Sequence, residues 1–145
     1  MSKREVKVTA ATLRAREMML GGVIAGNLAG LTVVGLAFAI DGVDGLLTAA
    51  LAFAAAVLFY SIGQWLEVVA TELDPMQGMG LVLASYGVRV VGIAAGLWWI
   101  LSTPQIAPRV IDGWLVASMA ATVLAWVTGV VVVASRQRVP VYDPE

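Results

Sequence analysis

There is no cysteine and no histidine in the 145 residues. That excludes disulfide scaffolds, thiolate nucleophiles, histidine-ligated haem and the usual zinc sites. It also removes the only side chain that titrates near neutral pH without perturbation. Charge is scarce: 13% of the residues are charged and 60% are hydrophobic, where a soluble domain has about 25% and roughly 45–50%. With a mean hydropathy of +0.89, the deviation is global. The chain reads as a polytopic membrane protein with no room for a soluble domain of ordinary size. Catalytic constellations are missing too: no serine–histidine or cysteine–histidine pair, no phosphate-cradling loop and no metal-ligand cluster. The expectation is a protein that is not an enzyme and binds no nucleic acid.

What is present is a succession of long apolar runs. Residues 1–17 form a polar, basic leader with Lys3, Arg4, Lys7, Arg14 and Arg16. It is too long for the n-region of a signal peptide, and the apolar run after it exceeds an h-region. Arg14 and Arg16 abut the membrane, where each gains about 1 kcal/mol from anionic lipid. Spans are expected at about 18–40, 46–66, 79–101 and 113–134, followed by a tail over 135–145. The predicted fold is therefore all-α, a four-transmembrane-helix bundle whose second helix follows the turn Asp41-Gly42-Val43-Asp44-Gly45. An even number of spans puts both termini on one side, with seven basic residues there and only Arg109 on the other. The positive-inside rule then makes both termini cytoplasmic.

The third span is the one that needs explaining, because Arg89 interrupts it near its middle. An intramembrane arginine costs roughly 2.5 to 3.5 kcal/mol on insertion scales and usually faces protein or water. Counting about 1.5 Å per residue, Arg89 lies roughly 15 Å from the cytoplasmic edge and Asn27 roughly 13 Å, with Ser61 and Gln64 nearer the surface. None of these is a carboxylate, so no ion pair forms inside the spans unless Glu67 reaches inward. Three readings stay open for Arg89: a structural bond to amides and carbonyls, a lipid-headgroup or anion contact, or a carboxylate on a partner membrane protein. In the first span Gly22, Gly26 and Gly30 share one helical face. Small residues at that spacing let helices approach closely, within the bundle or across to another protein.

Glu67, Glu72 and Asp74 gather between the second and third spans. Three loop carboxylates suit Mg²⁺ weakly, since that ion keeps its waters and needs only one or two acids. The competing reading is a loop boundary at Asp74-Pro75, with Glu67 and Glu72 on a helix extension.

Trp126, the Arg136-Gln137-Arg138 stop and the tail Val139-Pro140-Val141-Tyr142-Asp143-Pro144-Glu145 resemble the end of actinobacterial ATP synthase protein I-like proteins. Chain length, four expected spans, a glycine-rich first span and a basic residue in the third, here Arg89, are similar to that family as well. The resemblance implies a non-catalytic accessory protein of the F-type ATP synthase in the bacterial cytoplasmic membrane. It would assist assembly or stability of the rotor ring, and a role in magnesium supply is also proposed for the family. The alternative reading is a small cation (magnesium) transporter or channel with Glu67, Glu72 and Asp74 as its cytoplasmic mouth. On that reading the partners are membrane lipids, rotor or stator subunits and a second copy of the chain. Arg89, Gly22, Gly26, Gly30, Asn27 and Gln64 become the partner-binding candidates. The spans hold no mid-membrane acid of the kind a rotor subunit or proton carrier uses. An unrelated membrane scaffold is the remaining alternative.

Overall fold

The structure, a computed structural model, describes residues 9–138. Lys3, Arg4 and Lys7 of the leader and Val139–Glu145 of the tail lie outside the described residues.

All regular structure is helical: α1 over Ala10–Ala70, α2 over Pro75–Ser102 and α3 over Asp112–Arg136. A short 3-10 turn, Ala107–Arg109, lies between the last two. The all-α class agrees with the sequence reading, but the four-helix bundle does not. There are three helices, and the first has 61 residues. Helical structure runs through the stretch expected to be a turn, and only Gly42 leaves it, at φ 61° and ψ −139°. That backbone region is essentially open to glycine alone, so one residue does the work assigned to five.

A straight helix of this length would measure about 90 Å. Instead α1 doubles back at Gly42. Gly30 lies against Phe53, Gly45 against the Ala37 carbonyl, and the hydroxyls of Thr12 and Thr71 share a hydrogen bond of 2.9 Å. The two arms thus lie side by side, and the start of α1 meets its end.

Local signals set the other boundaries. The Thr9 hydroxyl caps α1 by accepting from the Thr12 amide. Asp74 caps α2 by accepting from the amides of Met76 and Gln77, with Pro75 in the first turn. Proline is tolerated there because that N–H has no partner in any helix.

All three helices are long and apolar enough to cross a membrane. The interior is made of small and hydroxyl-bearing residues: Ala37, Ala49, Ala52, Ala56, Thr48, Ser85, Ser118 and Thr122 are fully or almost fully buried. Large apolar side chains such as Leu20, Ile24, Leu28, Leu83, Val90 and Leu124 point outward. This inside-out arrangement suits a lipid surround, where close packing and hydrogen bonds associate helices in place of the hydrophobic effect. The buried hydroxyls of Thr48, Ser85, Ser118 and Thr122 donate to backbone carbonyls, that of Ser118 to Ala49 across the helices at 2.7 Å.

α3 packs closely along α1, whereas the backbone of α2 comes close only to α1 and the 3-10 turn and meets α3 through side chains such as Ile100 and Leu115. One end of the bundle gathers Arg14, Glu17, Thr71 and Gln137; the Gln137 amide donates to the Arg14 carbonyl and to Glu17. The other end holds the ion pair Arg109–Asp44 at 2.7 Å, and the Trp114 indole donates to Asp41.

Candidate functional site

The most concentrated polar chemistry inside the helices lies where α2 meets the second arm of α1. Arg89 projects from the middle of α2 onto Gly63, where a Cβ would stand 2.6 Å from the arginine Nε. The glycine therefore makes the space for the side chain. Arg89 Nη1 lies 2.8 Å from Glu67 Oε1, with the two side chains 12% and 23% exposed. Glu67 also accepts from the Gln64 amide at 2.9 Å and from the Ser85 hydroxyl at 3.0 Å.

The guanidinium sits over the rings of Tyr60 and Tyr86, 5.2 and 5.5 Å from their centroids. Its positive charge meets the negative faces of both rings. Tyr60 in turn tilts against Trp126 of α3, with centroids 5.9 Å apart. Arg89 Nε and Trp126 Nε1 are buried without a hydrogen-bond partner among the described residues.

α1 continues past Leu66 to Ala70, so Glu67 lies on the expected helix extension, whereas Glu72, expected there too, falls beyond its end in the connecting turn. Tyr60, Gly63, Gln64 and Glu67 recur every three or four residues, so they share one face of that arm. The spacing is visible in the sequence once the helix is extended past Leu66. The intramembrane arginine thus has an acid of its own. The inference that it needs one from another protein loses its premise.

Of the other candidates, Gln64 is buried and joins the cluster through Glu67. Asn27 does not join it: its amide donates to the Val23 carbonyl of its own helix at 2.7 Å.

The glycine face is turned into the chain itself. A Cβ on Gly22 would lie 2.5 Å from Trp126 Nε1, and one on Gly26 2.8 Å from Trp126 Cε3. Gly30 is closed by Phe53 and Thr122. Trp126 is 1% exposed, so these glycines serve as the socket for one indole rather than as a surface for a second protein.

The acidic group is dispersed. Glu67 is committed to Arg89, Asp74 caps α2, and Glu72 stays in the connecting turn. Among the described residues no three carboxylates or other metal-ligating side chains converge to hold a metal ion, so Mg²⁺ has no assembled ligand set in them.

The charged pair therefore clamps α2 to α1 beside the packing of Phe59 against Gly92. With most of its surface turned away from the chain, α2 presents a second feature on its far side. By helical periodicity, Gly80, Ala84, Gly87, Val91, Ala94 and Trp98 lie opposite Gly78, Ser85, Arg89 and Ile100. All six are exposed, and nothing lies near Gly80 or Gly87.

No protein-family model matches the chain, and no curated protein or solved structure is similar to it.

Proposed function

We propose that this chain is a non-catalytic accessory membrane protein that acts by helix–helix contact, and that its partner is the rotor or stator of an F-type ATP synthase. The carrying observation is the outward face of α2. Gly80, Ala84 and Gly87 form a shallow, small-residue strip flanked by exposed Met79, Leu83 and Tyr86. Small residues at that spacing admit the close backbone approach on which membrane helices rely. The choice of the synthase comes from the resemblance of Trp126 and the 136–145 segment to the ATP synthase protein I-like family. Rotor subunits are themselves close-packed helices, suited to such a strip.

On this reading Arg89 acts indirectly, by fixing how α2 presents its far face, and the partner does not touch it. The protein resides in the bacterial cytoplasmic membrane, with the end bearing Arg14, Arg16, Arg136 and Arg138 on the cytoplasmic side, where basic residues accumulate.

The test is a mild-detergent pull-down of the tagged chain from its own membranes. Rotor or stator subunits are expected to co-purify with the wild type. They should be lost on Ala84→Phe, which blocks the strip without touching the Arg89 cluster. Recovery of the folded chain without synthase subunits overturns the partner. Their recovery with Ala84→Phe overturns the face.

A further inference from the structure

The space between α2 and α3 changes character along its length. The helices have no close backbone approach, and buried Ile100 and Leu115 close the space at the end away from Arg14. Next to that closure is a cavity of about 400 Å³ with a wholly apolar lining that includes Leu97, Met119 and Val123. One turn further along α3, a second cavity of about 310 Å³ is bounded by Val127, Val130 and Val131 on one side and by Tyr86 and Arg89 on the other. A third, of about 490 Å³, shares Gln64, Glu67 and Tyr86 with the second and opens beside Arg14 and Gln137. The groove is thus apolar at its closed end and polar with a cation at its mouth. Arg14 forms no ion pair among the described residues.

We infer that this groove seats one anionic phospholipid of the surrounding bilayer, its phosphate at Arg14 and one acyl chain along Val130, Val127 and Met119. The polarity gradient selects an amphiphile. A soluble anion has no use for the apolar half. The one deep charge on the path, Arg89, is neutralised by Glu67 at 2.8 Å, so a hydrocarbon chain passes a closed pair. The headgroup is held at the interface, where an arginine attracts anionic lipid. This inference does not rest on the synthase as partner.

Native mass spectrometry of the full chain in mild detergent tests it, with phosphatidylglycerol and phosphatidylcholine of identical acyl chains as probes. One retained phosphatidylglycerol per chain is expected, in preference to phosphatidylcholine. Arg14→Gln should weaken retention about fivefold, the equivalent of about 1 kcal/mol for one interfacial arginine. Arg16→Gln, at an exposed arginine that does not line the groove, should leave retention unchanged. Val127→Trp fills the groove from a half-exposed position and should release the lipid. Val131→Phe, at a more exposed position on the same wall, serves if that variant does not fold. Equal retention of both lipids, equal losses from Arg14→Gln and Arg16→Gln, or retention that survives filling the groove each overturns the proposal. So does a lipid-free dimer, which would put a second copy in the groove.

Discussion

Glu67→Gln is the sharpest perturbation of the polar cluster, because it removes one charge and almost no volume. Two unit charges about 4 Å apart attract by about 4 kcal/mol at an effective dielectric near 20, which sets the upper end of the loss. Screening reduces it little, since both side chains are less than a quarter exposed, Arg89 at 12% and Glu67 at 23%. Ser85 and Gln64 donate to different oxygens of Glu67, so the one carbonyl oxygen of the neutral amide keeps one of these bonds and loses the other. Polar interactions measured between membrane helices are smaller, about 0.6 to 1.7 kcal/mol, because the separated helices find other partners. Removing one member of a buried pair, by contrast, costs about 3–5 kcal/mol by stranding the other charge. The guanidinium over Tyr60 and Tyr86 keeps some compensation, so the expected loss is about 2–3 kcal/mol, between these limits.

Arg89→Met removes the cation from the same pocket and should cost about 2 kcal/mol by leaving Glu67 charged and unpaired. The double variant strands neither charge and packs a thioether chain against Gly63 and the two rings, so it should lie within about 1 kcal/mol of wild type. The assay is unfolding of micellar protein by increasing SDS, followed by tryptophan fluorescence. Single losses that simply add in the double variant would falsify the clamp, because they would mean that the two charges do not interact. A neutral Glu67→Gln refutes it as directly.

Three further outcomes follow from the packing. Gly22→Val drives a side chain into the Trp126 indole and should cost about 3 kcal/mol by overpacking; Trp126→Leu in the same chain should recover part of the loss in the SDS titration. Gly42→Ala imposes a conformation that an L side chain adopts at a cost of about 1–3 kcal/mol, whereas Gly35→Ala, with nothing within 4 Å of its Cβ position, should be neutral or slightly stabilising; equal effects in thermal melts refute the hinge. Arg109→Gln breaks a pair whose members are 46% and 51% exposed, so its cost should be about 0–1 kcal/mol and should disappear when the melt is repeated in high salt.

The apolar lengths of this chain were legible because lipid selects on composition: few charges interrupt the helices, and Arg89 stands out for that reason. The helix count was not. Asp and Gly at 41–45 are turn formers by propensity, yet only Gly42 needs a non-helical backbone, and the others remain in helical structure beside it. Propensity could not tell a five-residue turn from a one-residue hinge. A helix extension carrying Glu67 was legible, but its end and the inward turn of Glu67 to Arg89 were not. Trp65 reads as an interfacial residue and Asp74-Pro75 as a boundary, while the helix continues to Ala70 and ends where Thr71 turns back to bond Val68 and Thr12.

The glycines carry the more general physical point. Their spacing showed that Gly22, Gly26 and Gly30 form a face, but spacing does not name an occupant. A missing Cβ specifies a hole, and the large side chain that fills it can come from anywhere in the chain. Here Trp126, about a hundred residues away in sequence, fills one such hole, and Arg89 fills the one at Gly63. The two fillings differ in kind. α3 is held by an indole set against two glycines, Gly22 and Gly26, together with close backbone contact at Gly21 and Gly129, whereas α2 takes Phe59 of α1 against Gly92 and adds a charged pair. Dispersion contacts are many and individually small, so truncating one apolar side chain of α3 other than Trp126 leaves most of its docking in place. The α2 contact adds to such packing one charged pair, Arg89–Glu67, whose loss a single substitution can cause. α2 is also the helix that presents Gly80, Ala84 and Gly87 outward.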